Sequence, residues 1–223
     1  VYVVDESNDR IQYFTAAGSY LGQWGTFGSG DGQLFLPEDV AVAPNGNVYV
    51  ADSLNHRIQY FTPAGSFLGK WGSYGLAAGQ FVMPCGVAVG PNGRVYVADT
   101  LNSRVQCFTA AGSLIGIVGR EGRGDGEFVA PWGIAAAPNG DFFVTDSELH
   151  RVQYFTSSRS FLGKWGSRGA GEGQFEQPVH VAVSRSGARA YVADSDNCRV
   201  QYFNRNVVRV TPTSLGRVKA IFR

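Results

Sequence analysis

Charge is scarce in this chain. Only 17% of its 223 residues are Asp, Glu, Lys or Arg, and the formal net charge is +1, so the total implies no polyelectrolyte partner. Cysteine is scarcer still. Cys85, Cys107 and Cys198 form no Cys-x-x-Cys pair, which argues against a zinc knuckle or a disulfide framework. No apolar run reaches the roughly 18 residues that a membrane-spanning helix needs. No segment sustains a helical period. The first residue is Val1 and the single methionine is Met83, so the lack of a targeting segment excludes no compartment. What the chain has in excess is glycine, 30 residues without a collagen-like triplet, which points to many tight turns between short strands. At 44% hydrophobic it can bury a core.

The chain repeats itself. VYVVDESNDRIQYF begins at Val1, VYVADSLNHRIQYF at Val48 and VYVADTLNSRVQCF at Val95. FFVTDSELHRVQYF begins at Phe142 and AYVADSDNCRVQYF at Ala190. The offsets are 47 residues three times and then 48. The extra residue falls in Ser184–Arg189, where earlier copies read Pro-Asn-Gly. Each unit reads as four short strands. In the second copy these are Val40–Ala43, Val48–Ala51, Arg57–Phe61 and Phe67–Trp71. The turns Pro44-Asn45-Gly46, Ser53–His56 and Pro63-Ala64-Gly65 join them, and the glycine-rich Ser73–Pro84 leads to the next unit. A period of this length with four strands predicts an all-β propeller of four-stranded antiparallel blades, about five blades being present. The first strand of each unit is small, as in Val40-Ala41-Val42-Ala43, which suits the crowded axis of a ring. Trp24, Trp71 and Trp165 share one register on the fourth strand, with Val118 in the remaining copy, and are expected to pack between blades.

The run Tyr-Val-Ala-Asp-Ser-x-Asn-x-Arg-Ile-Gln-x-Phe, the Gly-x-Gly-Gln-Phe connector and the Pro-x-Gly-Val-Ala-Val strand resemble the NHL-repeat family over about residues 1–203. The resemblance implies a β-propeller, usually six-bladed, whereas this chain holds under five full units. Residues 204–223 form a basic tail with Arg205, Arg209, Arg217, Lys219 and Arg223 and no acidic residue. Val207–Val210 as a fourth strand and Arg217–Phe222 as the first strand of the opening blade would close a five-bladed ring. The alternative is a fragment of a six-bladed propeller.

A feature that recurs in every blade is read as scaffold. Five Asp/Arg pairs flank the turn between the second and third strands: Asp5/Arg10, Asp52/Arg57, Asp99/Arg104, Asp146/Arg151 and Asp194/Arg199. Each pair should face its partner across the hairpin, as a structural element rather than a catalytic one. Asn8, Asn55, Asn102 and Asn197 suit a turn position near the left-handed region, and Leu149 breaks the set. Gly28–Gly32 looks like a phosphate loop, but no helix follows, and the pattern recurs at Gly122–Gly126 and Gly169–Gly173, as a turn element does.

Function is then expected where the repeat breaks, on the face that carries these turns and the inter-blade connectors. Before the inner strands stand Glu38, Asp39, Cys85, Trp132 and His180. His56 and His150 occupy a variable turn position, and Arg120, Arg123 and Arg168 lie in the connectors. The reading is a non-catalytic recognition scaffold for a protein or peptide partner, with no cofactor and no catalytic residue assigned. One alternative is a metal-dependent lyase or hydrolase at the channel mouth, since all three histidines fall on this face and amidating-lyase relatives of NHL propellers hold a metal with histidines. Another is single-stranded RNA binding, as in some NHL propellers. Against it, residues 1–203 carry 14 basic and 18 acidic side chains, a net of −4.

Overall fold

A computed structural model describes residues 1–204. It is an all-β, five-bladed propeller. Blade 1 consists of β1 (Tyr2–Asp5), β2 (Arg10–Phe14) and β3 (Tyr20–Trp24). Blade 2 holds β4 (Pro37–Val42), β5 (Val48–Asp52), β6 (Arg57–Phe61) and β7 (Phe67–Trp71). Blade 3 holds β8 (Pro84–Val89), β9 (Val95–Asp99), β10 (Arg104–Phe108) and β11 (Leu114–Val118). Blade 4 is β12 (Pro131–Ala136), β13 (Phe142–Asp146), β14 (Arg151–Phe155) and β15 (Phe161–Trp165). Blade 5 is β16 (Pro178–Val183), β17 (Arg189–Asp194) and β18 (Arg199–Asn204). Within the blades the strands pair antiparallel between sequence neighbours, and isolated parallel bridges such as Tyr74 to Phe81 lie in the connectors. The inner strands stand side by side around the hub, β4 next to β8, β8 next to β12 and β12 next to β16. The segments proposed to close the ring, Val207–Val210 and Arg217–Phe222, lie outside the described residues.

Strand register decides which residues share one end of a blade. In blade 2 Pro37 pairs with Asp52, Asp52 with Arg57, and Ile58 with Trp71. The start of the inner strand, the turn between the second and third strands and the exit from the fourth strand therefore share one end. The opposite end carries the Pro-Asn-Gly and Pro-Ala-Gly turns. The inner strand starts at Pro37, three residues before the expected Val40. The ladder skips one residue between Pro37 and Asp39, so Glu38 sits at a bulge. The same irregularity recurs in blades 3, 4 and 5. Bulges re-aim side chains, here at the mouth of the hub.

Packing between blades follows the aromatic register. Trp24 lies 5.6 Å from Phe61 of blade 2, Trp71 5.6 Å from Phe108 of blade 3, and Trp165 5.4 Å from Phe203 of blade 5, between ring centroids. Trp24 and Trp71 are each matched by a glycine of the next blade. A Cβ on Gly65 would fall 2.7 Å from the Trp24 ring, and one on Gly112 2.7 Å from Trp71. Both glycines also hold φ near +87°, which favours glycine on its own account. At the two ends of the array the blade faces are less covered by the described residues. Val3 is 44% and Val200 43% exposed, whereas Val50, Val97, Ile58 and Val105, at the same registers in the middle blades, are fully buried.

Candidate functional site

Four of the five Asp/Arg pairs close as expected. Arg Nε donates to the Asp carboxylate at 2.6–2.7 Å in blades 1, 2, 3 and 5. In blade 2 the Arg57 guanidinium also donates to the carbonyls of Ser29, Gly30 and Gln33, and Gln59 Nε2 to Gln33 O and Asp52. Phe35 N donates to Asp52. The buried pair thus stitches the turn to the connector that enters its own blade. It satisfies carbonyls that a loop would otherwise leave bare. The asparagine is part of this network rather than the left-handed residue expected. Asn55 Nδ2 donates to both Asp52 oxygens and to Gly28 O. The left-handed position is the next residue: Asp9, His56, Ser103, His150 and Cys198 hold φ of 49–53°.

That position has its own task. Leu36 N donates to Asp9 Oδ1, Met83 N to His56 Nδ1 (3.1 Å) and Gln177 N to His150 Nδ1 (3.2 Å). Ser103 Oγ donates to Val129 O. Each side chain clasps the connector that leaves for the next blade. His56 and His150 therefore use Nδ1 as an acceptor and carry a proton on Nε2. Burial also holds the His56 imidazole below its usual pKa.

At the hub the bulge residues and their neighbours come from four successive inner strands. Asp39 accepts hydrogen bonds from Val40 N (2.8 Å) and, across the blade boundary, from Val87 N (3.0 Å). Burial outweighs both and raises its carboxyl to about 7. Glu38 is raised to about 7 as well, by burial and then by the Glu6 carboxylate. At the register of Asp39 and His180 the middle blades have Gly86 and Gly133. A Cβ there would lie 2.2 Å from Trp132 O and 2.4 Å from Val179 O, so neighbouring inner strands meet backbone to backbone. Cys85 is fully buried, and burial pushes its thiol up to about 12, which makes it inert. Trp132 is half-buried and His180 exposed.

The outer rim of this face is formed by the connectors. Arg120 pairs with Glu127 at 2.9 Å and Arg168 with Glu176 at 3.1 Å. Arg123, His150 and Arg168 meet Glu148, Arg151 and Lys164 around a pocket of about 570 Å³ on blade 4. The hub residues do not join them. Among the described residues no three His, Cys, Asp or Glu side chains converge as metal ligands would. Sequence reasoning missed the apolar half of the rim. Phe27, Tyr74, Leu76 and Leu101 are 60–75% exposed, and the Tyr74 ring stands edge-on to His56 at 5.1 Å. The signal was present: register 27/74/121/168 reads Phe, Tyr, Glu, Arg, and register 29/76/123/170 reads Ser, Leu, Arg, Ala.

Radially arranged copies of one four-stranded unit define a β-propeller. Three of its units are NHL repeats: the NHL repeat model matches residues 36–61, 81–108 and 128–155. A comparison with curated protein sequences gives no match. Among solved structures the fold is similar to a streptogramin B lyase (TM-score 0.62, 12% identity, 81% of this chain and 55% of that one). It is also similar to a virginiamycin B lyase from Staphylococcus aureus (0.67, 12%, 98% and 67%) and to a protein of unknown function from Bacteroides caccae (0.65, 15%, 94% and 70%). The chain spans less than two thirds of the streptogramin B lyase. At these identities the likeness is one of fold.

Proposed function

We propose that the chain is a recognition scaffold that binds a protein or peptide partner through the connector face. The observation that carries this reading is the sidedness of the rim. Phe27, Tyr74 and Leu76 stand exposed on the connectors that follow blades 1 and 2, and Arg120, Arg123 and Arg168 on those that follow blades 3 and 4. Large exposed apolar side chains gathered beside charged ones are typical of protein-binding surfaces. They stand on connectors that the buried Asp/Arg network pins to the blades, so little ordering is lost on binding. The test is selection of random peptides against the chain, followed by Tyr74→Ser/Leu76→Ser. Selected peptides should lose at least tenfold in affinity for the variant. Peptides that bind both proteins alike would point away from this face.

A lyase or hydrolase at the channel mouth is the second reading. It draws on the exposed His180 at the hub and on the two lyases among the similar folds. Its test is metal analysis of the purified chain, with and without His180→Ala. A stoichiometric metal lost with that imidazole would favour it over recognition.

A further inference from the structure

Blade 4 departs from the other blades in its buried ion pair. Leu149 stands where the others have asparagine, so no side-chain amide holds the Asp146 carboxylate. Asp146 accepts instead from the backbone amides of Val129, Ala130 and Leu149. Arg151 Nε is left 4.0 Å from Asp146 Oδ2 and without an acceptor, although Arg151 is only 6% exposed. The remaining guanidinium nitrogens donate to Arg123 O, Gly124 O and Glu127 O. The positive charge of Arg151 is thus less compensated than in any other blade. Desolvation accordingly holds the Arg151 pKa below its usual value and raises that of Asp146.

This under-compensated arginine lines the 570 Å³ pocket together with Arg123, Lys164, Arg168 and His150, against one lining carboxylate, Glu148. Lys164 is paired with Asp125 and Arg168 with Glu176, both outside the lining. The Arg123 guanidinium is exposed and makes no hydrogen bond or ion pair among the described residues. His150 spends Nδ1 on Gln177 N, which leaves its Nε2–H as a further donor.

We propose that this pocket binds an anionic group, the carboxylate or phosphate of an acidic peptide segment, with Arg123 as its first donor. The proposal rests on the recognition reading and supplies the chemistry of the partner: an acidic group beside an apolar stretch that would reach Tyr74 and Leu76. Guanidinium groups suit both anions, because their planar fork can donate two parallel hydrogen bonds.

The experiment titrates inorganic phosphate and, separately, glutarate into the full chain, following the arginine Nε–H resonances. The expected result is a saturable shift at Arg123 and Arg151. Arg123→Ala should weaken it fivefold or more. Leu149→Asn, at a residue that also lines the pocket, restores the amide that turns Asp146 onto Arg151 and should weaken it about threefold. The stronger of the two anions identifies a phosphorylated or a carboxylate side chain as the source. Lack of saturation by either anion into the tens of millimolar overturns the proposal, as does an undiminished response in Arg123→Ala. Displacement of phosphate by a single-stranded RNA and not by an acidic peptide overturns the assignment to a peptide. The anion response is read without any selected peptide, so its failure leaves the apolar half of the recognition reading to its own test.

Discussion

Asn55 spends one side-chain amide on both oxygens of Asp52 and on the carbonyl of Gly28. Replacing it with leucine leaves those acceptors short of a donor inside the protein, which should cost about 1–3 kcal/mol in urea denaturation. The reverse exchange exists in blade 4, and Leu149→Asn should raise stability by about 1 kcal/mol. Asp39 gives a second prediction at this scale. Its folded pKa, about 7, lies above the ordinary value of 3.8. The folded state therefore holds the proton more tightly than the unfolded chain. The corresponding stability is complete below pH 4 and is lost as pH rises through 7. Asp39→Asn should flatten that part of the stability–pH curve, measured by denaturation from pH 4 to 8; an unchanged slope would assign it elsewhere, with Glu38 the next group to replace. The Asp/Arg pairs could be read from the sequence because the same spacing recurs in every copy. The left-handed residue was placed one position early. Asparagine is a common choice there, but here the carboxylate takes its amide. The true position varies among Asp, His and Ser in blades 1 to 4 because the connector asks only for a polar atom within reach.

Between elements, the boundary of blades 3 and 4 shows how a lost aromatic is replaced. In blades 1, 2 and 4 a tyrosine of the third strand covers a glycine of the fourth: Tyr13 over Gly22, Tyr60 over Gly69, Tyr154 over Gly163. Blade 3 has Cys107 and Val118 in place of the tyrosine and the tryptophan. The Arg159 guanidinium from blade 4 fills the space instead, lying against Gly116. Arg159 stands where the neighbouring turns have Gly65 and Gly112, and it keeps their positive φ, 76°, at a cost in backbone strain. Cys107→Tyr alone should clash with Arg159 and destabilise. Paired with Arg159→Gly it should recover, giving a coupling energy of about 1–3 kcal/mol in a double-mutant cycle. Additive effects would contradict the shared space. Val118 was visible in the sequence as the exception to the tryptophan register. Its compensation was not, because Arg159 sits a blade away, in a turn whose position means nothing until the blades are stacked.

For the whole molecule, the 47-residue period made the propeller legible before any coordinates, since four strands that bury one face each need a neighbouring copy to cover the other. The more exposed end faces test that logic. Val200→Ala should cost under about 0.5 kcal/mol, while Val105→Ala, at the same register within the array, should cost about 2 kcal/mol. Equal costs would mean that something covers Val200 in solution. The proposed recognition face was only half legible. Its charged residues stood out against the repeat, but its apolar half hid in glycine-rich connectors that read as spacers. In the proposed reading, recurring side chains build the wheel and the connector end alone recognises a partner. Hydrogen exchange of the chain with a selected peptide bound tests this most directly. Protection should gather on the connectors around Phe27, Tyr74, Arg123 and Arg168 and leave the Asn45-Gly46 and Pro63–Gly65 end unchanged. Protection at that opposite end, or spread evenly over the blades, would contradict the account.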